Sequence, residues 1–177
     1  MRYTLTGLIA LGLLALPLGA QPQMAKPGPE HAFLKESEGT WDAVAKSPMG
    51  DSKGVLHCKM GLNGLWLDEH YIGEGFEGKG HTTYDSYSKK FVNVWIDSMV
   101  TRPMVSEGSY DKDKKTMTLH GFMPPMEGEK GMASTITITY KDANTKVLTL
   151  KGKKLDAKTD EPSEFQMVEI TYKRRVK

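Results

Sequence analysis

From residue 39 to residue 173 the chain runs in short stretches of alternating apolar and polar positions, each closed by glycine, proline, asparagine or adjacent charges. A period of two places successive side chains on opposite faces of a strand, and β-branched and aromatic residues favour that geometry. The pattern predicts strands at 39–46, 52–60, 65–72, 79–87, 91–97, 104–110, 115–121, 132–141, 146–151 and 164–173. Turns are expected at 47–51, 61–64, 73–78, 88–90 and 111–114, where Gly, Asn, Ser, Lys and Asp gather. Segment 122–131 is expected to be irregular, because Pro124 and Pro125 lack donors and glycine closes both flanks; 155–162 reads as polar loop. Only 30–38 (EHAFLKESE) reads as helix, two turns with Phe33 and Leu34 as apolar contacts. About ten strands and no later helical period argue an antiparallel all-β meander, closed as a barrel or folded as a sandwich.

The most informative stretch is 91–111 (FVNVWIDSMVTRPMVSEGSYD), two strands with a short connection and hence a hairpin. Folding back near Thr101 places Trp95 opposite Glu107 and Asp97 opposite Val105. One face then carries Asn93, Trp95, Asp97, Val105 and Glu107, and the other Val94, Ile96, Ser98, Met104 and Ser106. An indole ringed by an amide and two carboxylates fits neither a dry core nor a plain solvent face. It suits a cavity wall.

The first 20 residues are not read as fold. Arg2, an apolar run over 5–16 and the Pro-Leu-Gly-Ala ending at Ala20 have the pattern of a secretory signal peptide. The run is too short for a transmembrane span, so the expectation is an exported protein, periplasmic or extracellular, with no stable membrane span after cleavage. An uncleaved anchor is the alternative. Residues 21–29 read as a linker and 30–177 as a single β-barrel domain. The one cysteine, Cys58, excludes an intrachain disulfide and reads as a small core residue rather than a reactive thiol. Lys and Arg number 24 against 22 Asp and Glu and are scattered, so nucleic acid is not an expected partner.

Glu107, Asp97 and Glu169 are the carboxylates of interest, Glu169 because it interrupts the apolar run MVEITY. Turned inward, they would bind a cationic or hydroxylated ligand or act as general acid or base; turned outward, they are solvated or paired across strands. Of the five histidines, His120 beside the Pro-Pro loop is best placed to reach a barrel mouth, and His70, alternating with Trp66 and Asp68, is second. None has zinc-ligand spacing, and no metal or cofactor is expected. The many methionines read as core filling, with Met123-Pro-Pro-Met126 as a flexible lip. There is no nucleophile elbow, no triad order and no phosphate-binding loop opening a helix, so no catalytic residue is assigned.

Two sets of residues carry a family resemblance. A short helix before Gly39-Thr40-Trp41, with a basic residue (Lys173 or Arg174) ending the last strand, resembles the calycin arrangement of lipocalins, fatty-acid-binding proteins and nitrobindin-like barrels. The resemblance implies that Trp41 plugs the closed end and that a cation, assigned to Arg174, packs across its ring. No Gly-x-Trp-x-Gly-x-Gly run follows, so haem is not implied. The second set is Gly64-Leu-Trp-Leu67, Tyr84-Asp85, Trp95-Ile-Asp-Ser-Met99, Ser106-Glu-Gly108, Tyr110-Asp111 and Met167-Val-Glu-Ile-Thr-Tyr172. Together these resemble domain of unknown function 1579, a family of bacterial proteins, often exported, which implies one β-barrel and no established activity. The reading is therefore a calycin-like, up-and-down antiparallel barrel that binds a small, mostly apolar ligand. Trp66, Trp95, Asp97, Glu107, His120 and Glu169 are its candidate polar and aromatic contacts. A small enzyme using Glu107 or Glu169 as base is the alternative. Another is a filled barrel whose outer stripe of Val94, Ile96 and Met104 forms a homodimer.

Overall fold

The computed structural model describes residues 24–125, 130–153 and 164–176. A short helix, α1 (Pro29–Lys35), precedes β1 (Gly39–Ser47), β2 (Gly50–Gly61), β3 (Trp66–Gly73), β4 (Phe76–Asp85) and β5 (Lys90–Asp97). The chain continues through β6 (Met104–Asp111), β7 (Thr116–Met123), β8 (Met132–Asp142), β9 (Thr145–Lys153) and β10 (Glu164–Arg174). Each strand pairs antiparallel with its successor, and β1 pairs with β10, from Trp41 opposite Arg174 to Lys46 opposite Glu169. The result is a closed up-and-down barrel, which leaves no unpaired sheet edge. No described helix is long and apolar enough to cross a membrane. The expected export signal at 1–20 and polar loop at 155–162 lie outside the described residues, as does Met126.

Alternation sets inside from outside. In β1, Trp41, Ala43 and Ala45 are buried while Asp42 and Val44 are exposed. Pairing carries that parity around the ring, so Leu56, Cys58, Leu67, Glu69, Tyr71, Thr82, Phe91, Asn93 and Trp95 also point inward. α1 and the connections after β2, β4, β6 and β8 lie at one end, the base. The two-residue turns after β1 and β3, the connection 98–103 and the end of β7 lie at the other, the mouth.

Several boundaries differ from the sequence reading. α1 ends at Lys35 rather than residue 38, because Gly39 turns into β1 at φ +128°, a conformation that disfavours any side chain. Its first turn begins at Pro29, whose missing donor is harmless there, and His31 Nδ1 accepts from the Gly28 amide at 3.1 Å. Phe122 and Met123, expected in the irregular loop, pair with Ala133 and Met132; donors are lost only from Pro124 onward.

The hairpin register is corrected too. Met104, not Glu107, stands nearest Trp95, Ser106 stands opposite Asn93, and Glu107 stands opposite Val92. Asp97 Oδ1 accepts from the amides of Met99 (2.9 Å) and Val100 (3.3 Å), so the chain turns directly after Asp97 rather than at Thr101. An odd shift in register exchanges the faces of β6. Met104 and Ser106 therefore point inward, and Val105 and Glu107 outward; Met104 does not belong to an outer stripe.

Candidate functional site

The base of the barrel is filled with rings. Trp41 is 2% exposed and donates through Nε1 to the Ser37 carbonyl at 3.0 Å. The guanidinium of Arg174, rather than the ammonium of Lys173, lies over its ring, 4.0 Å from the centroid. That guanidinium also donates to the carbonyls of Glu36, Glu38 and Ala143, tying the helix exit to the last strand. Phe33 of α1 stacks on Tyr110 (4.0 Å between centroids) and meets Tyr140 and Phe91 edge-on. Lys146, 3% exposed, points inward with its ammonium 4.7 Å from the Trp41 ring and 5.5 Å from that of Tyr172. Burial pushes the Cys58 thiol up to about 12 and raises the phenols of Tyr172 and Tyr140. These groups stay neutral and hold the floor in place.

Above the floor the wall is different. Trp95 projects from β5 and lies flat along β4: a Cβ at Gly78 would fall 2.1 Å from its Cζ2, and one at Gly80 would fall 3.1 Å from its Cε3. Glycine at both positions makes room for the indole. Its Nε1 donates to Asp97 Oδ2 at 3.0 Å, so the ring is fixed at its edge as well as its back. Glu69 of β3 stands beside it, with Oε2 also 3.1 Å from the Gly80 Cβ position. That oxygen accepts from Thr82 Oγ1 (3.1 Å), which in turn accepts from Asn93 Nδ2 (2.9 Å). The row continues through paired strands as Ser106, Gly121, Ser134 and Gly152, all polar or small. Ser106 Oγ, in a residue 1% exposed, has no partner among the described residues.

Ile138, Leu148, Leu150, Val168 and Ile170 share the inward parity, yet all are only half-buried. So are Trp95, Glu69 and Met104. A barrel packed solid at interior density would bury inward side chains in mid-strand. By parity their remaining exposure lies toward the barrel interior, beside a buried polar arc of Thr82, Asn93, Ser106 and Ser134.

Of the six candidate contacts, the structure brings Trp95 and Asp97 together in this wall. The other four lie elsewhere. Glu107 points outward and pairs with Lys90; opposite it, His120 is also outside, its Nδ1 3.3 Å from Thr135 Oγ1. Glu169 faces outward between Lys46 and Thr149, because a bulge between Gln166 and Val168 sets Val168, Ile170 and Tyr172 inward. Trp66 opens β3 on the outer side, against a surface crevice of about 350 Å³ near α1. The residue missed was Glu69, and its signal was available: Leu67, Glu69 and Tyr71 alternate, with two apolar neighbours marking the inner face.

A second hollow, about 400 Å³, lies on the outside of β1–β4. His57, His70 and His81 converge there from three strands, a grouping that linear spacing did not reveal. Each already has a partner: Thr40 at 3.2 Å, Glu77 at 2.7 Å and Asp68 at 2.8 Å. Among the described residues no group of three or more His, Cys, Asp or Glu is placed to hold a metal.

A solved structure shares this architecture. The S-type phycobiliprotein lyase CPES from Guillardia theta is similar over 84% of this chain and 93% of its own, at 10% identity and a TM-score of 0.54. EF1p2_mFAP2b bound to DFHBI is similar over 82% and 97%, at 15% identity and a TM-score of 0.40. The redesigned beta barrel b11L5F_LGL covers 82% and 96%, at 15% identity and a TM-score of 0.33. At 10% identity the likeness to the lyase is one of fold alone. No curated protein matches the sequence. The model of a family of proteins of unknown function, DUF1579, matches residues 26–174, and the chain belongs to that family.

Proposed function

We propose that this protein is an exported binding protein that holds a small, mostly apolar ligand in the upper lumen of its barrel. The observation that carries the reading is the half-burial of inward side chains, Ile138, Leu148, Leu150, Ile170 and Trp95, above a floor that is densely filled. Export rests on the N-terminal charge and apolar run alone. The fold shared with a phycobiliprotein lyase is compatible with this use of the interior. The enzyme alternative loses its two assigned bases, since Glu107 and Glu169 face outward. The test is a native mass spectrum and an absorption spectrum of the purified protein, followed by titration with an apolar dye. Added mass, a chromophore or saturable dye binding that quenches tryptophan emission is expected. The apo mass together with no dye binding would leave a filled barrel instead.

A further inference from the structure

Resting on that open-lumen reading, the geometry points to a specific ligand class: an organic cation with an apolar body, its charged nitrogen held between the Glu69 carboxylate and the face of Trp95.

Three observations lead there. The indole presents only its face to the lumen, since Asp97 takes its N–H and Gly78 and Gly80 take its back. The face of an aromatic ring is its electronegative side and attracts cations. Glu69 meets the ring at its edge: its Oε2 and the indole Cε3 each lie 3.1 Å from the Gly80 Cβ position. Thr82 occupies Oε2, while Oε1 takes no donor and no cation pairs with the carboxylate among the described residues. A half-buried carboxylate with a vacant oxygen is satisfied best by a charged donor. Two negative electrostatic features on one wall select for positive charge. A neutral hydroxyl would answer only the carboxylate and gain little from the ring.

The remaining lumen defines the rest of the molecule. Met104, Ile138, Leu148, Leu150 and Ile170 offer contact to an alkyl or aromatic body and no charged group. Lys146 sits lower, against Trp41 and Tyr172, and is the group an anionic ligand would seek. The two charged side chains thus make opposite demands on a ligand, which a matched series of probes separates.

The test is calorimetric titration of the purified protein with decyltrimethylammonium, decanol and decanoate below their aggregation concentrations. The cation is expected to bind about tenfold or more tightly than the alcohol, with decanoate weakest. Glu69→Gln should remove most of that preference and leave decanol binding unchanged; Trp95→Leu should reduce it further. Rising ionic strength should weaken the cation alone. Equal affinity for all three probes would overturn the cation inference and leave the apolar lumen standing. Preference for decanoate would overturn it in favour of Lys146 as the anchor. No binding by any probe would sink both the inference and the open-lumen reading. The probe series on the unaltered protein decides the matter even where a variant fails to fold.

Discussion

The two ends of the barrel are built from the same alternating strands but by opposite rules. At the base the inward positions include the large side chains of Trp41, Phe91, Met117, Leu119, Tyr140 and Tyr172, packed beneath Phe33. Trp41 is held by Ser37 and Arg174, Phe33 by three rings, and Tyr140 by the Ser37 hydroxyl, 3.5 Å away. In the upper half the inward row Thr82, Asn93, Ser106, Gly121, Ser134 and Gly152 is small or polar, and one indole lies against two glycines. Ring packing is concentrated at one end, and the proposed recognition site lies toward the other. The tryptophan hairpin, whose sequence suits a cavity wall better than a dry core, belongs to the second end.

The contrast is broken most directly at Trp41. Trp41→Ala should lower unfolding free energy by about 3–5 kcal/mol, read as a shift in the urea midpoint, because it empties the floor and leaves Arg174 without its ring. Alkaline pH acts on the same end. Below pH 9 the Cys58 thiol is protonated in both states; above it the unfolded chain ionises from its ordinary 9.0 while the folded thiol holds its proton to about 12. Stability is therefore full below pH 9 and falls as pH rises through that window, by a few kcal/mol at its upper end. Tyr172 and Tyr140, raised by burial above 10.0, act in the same direction. Melting temperatures from pH 7 to 11 should show the fall, and Cys58→Ala should flatten it.

The upper half answers to smaller changes. Gly78→Ala should cost about 1–3 kcal/mol by pushing the indole off β4. It should also shift tryptophan emission and weaken lumen binding, which a Trp41 variant of equal instability would not do in the same way. Arg174→Lys keeps the charge but loses the planar fork across three carbonyls, with an expected loss of about 1–2 kcal/mol in the same urea experiment. Glu107→Gln and Glu169→Gln should stay within about 0.5 kcal/mol and leave probe affinities unchanged, as outward side chains on a solvated wall should. A large effect on binding from either would mean that the outer surface, not the lumen, is the working face.

Much of this architecture was legible in the sequence, and the reason is local. Strand alternation and turn residues are neighbours' properties, so ten strands and a leading helix could be read off in order. The pairing of Trp95 with Asp97 was legible because two residues on one strand share a face. The misplaced carboxylates are a matter of parity. Glu107 was set on the face of Trp95 because the turn was put at Thr101, whereas Asp97 takes the amides of Met99 and Val100 and turns the chain earlier. Glu169 was singled out because it interrupts the apolar run MVEITY, whereas the bulge before Val168 decides which half of that run is inner. Glu69 was passed over beside His70, although Leu67 and Tyr71 marked its face. Convergence of His57, His70 and His81 needs three registers at once, which spacing along one chain does not encode.

The seam between β1 and β10 carries a consequence for how the chain folds. Every other pairing joins strands adjacent in sequence and can form as a local hairpin, while this one brings Trp41 to Arg174 across nearly the whole domain. Loop-closure entropy opposes that contact more than any other, so the seam closes late and sets the folding rate. Until it does, β1 and β10 are open edges. Because the Arg175 amide bonds to the Thr40 carbonyl at 2.8 Å, the two ends of the barrel sequence lie side by side at the base. Joining them and cutting the chain at the turn after Asp85 would convert the slow seam into one more hairpin, and make the β4–β5 pair the last to form.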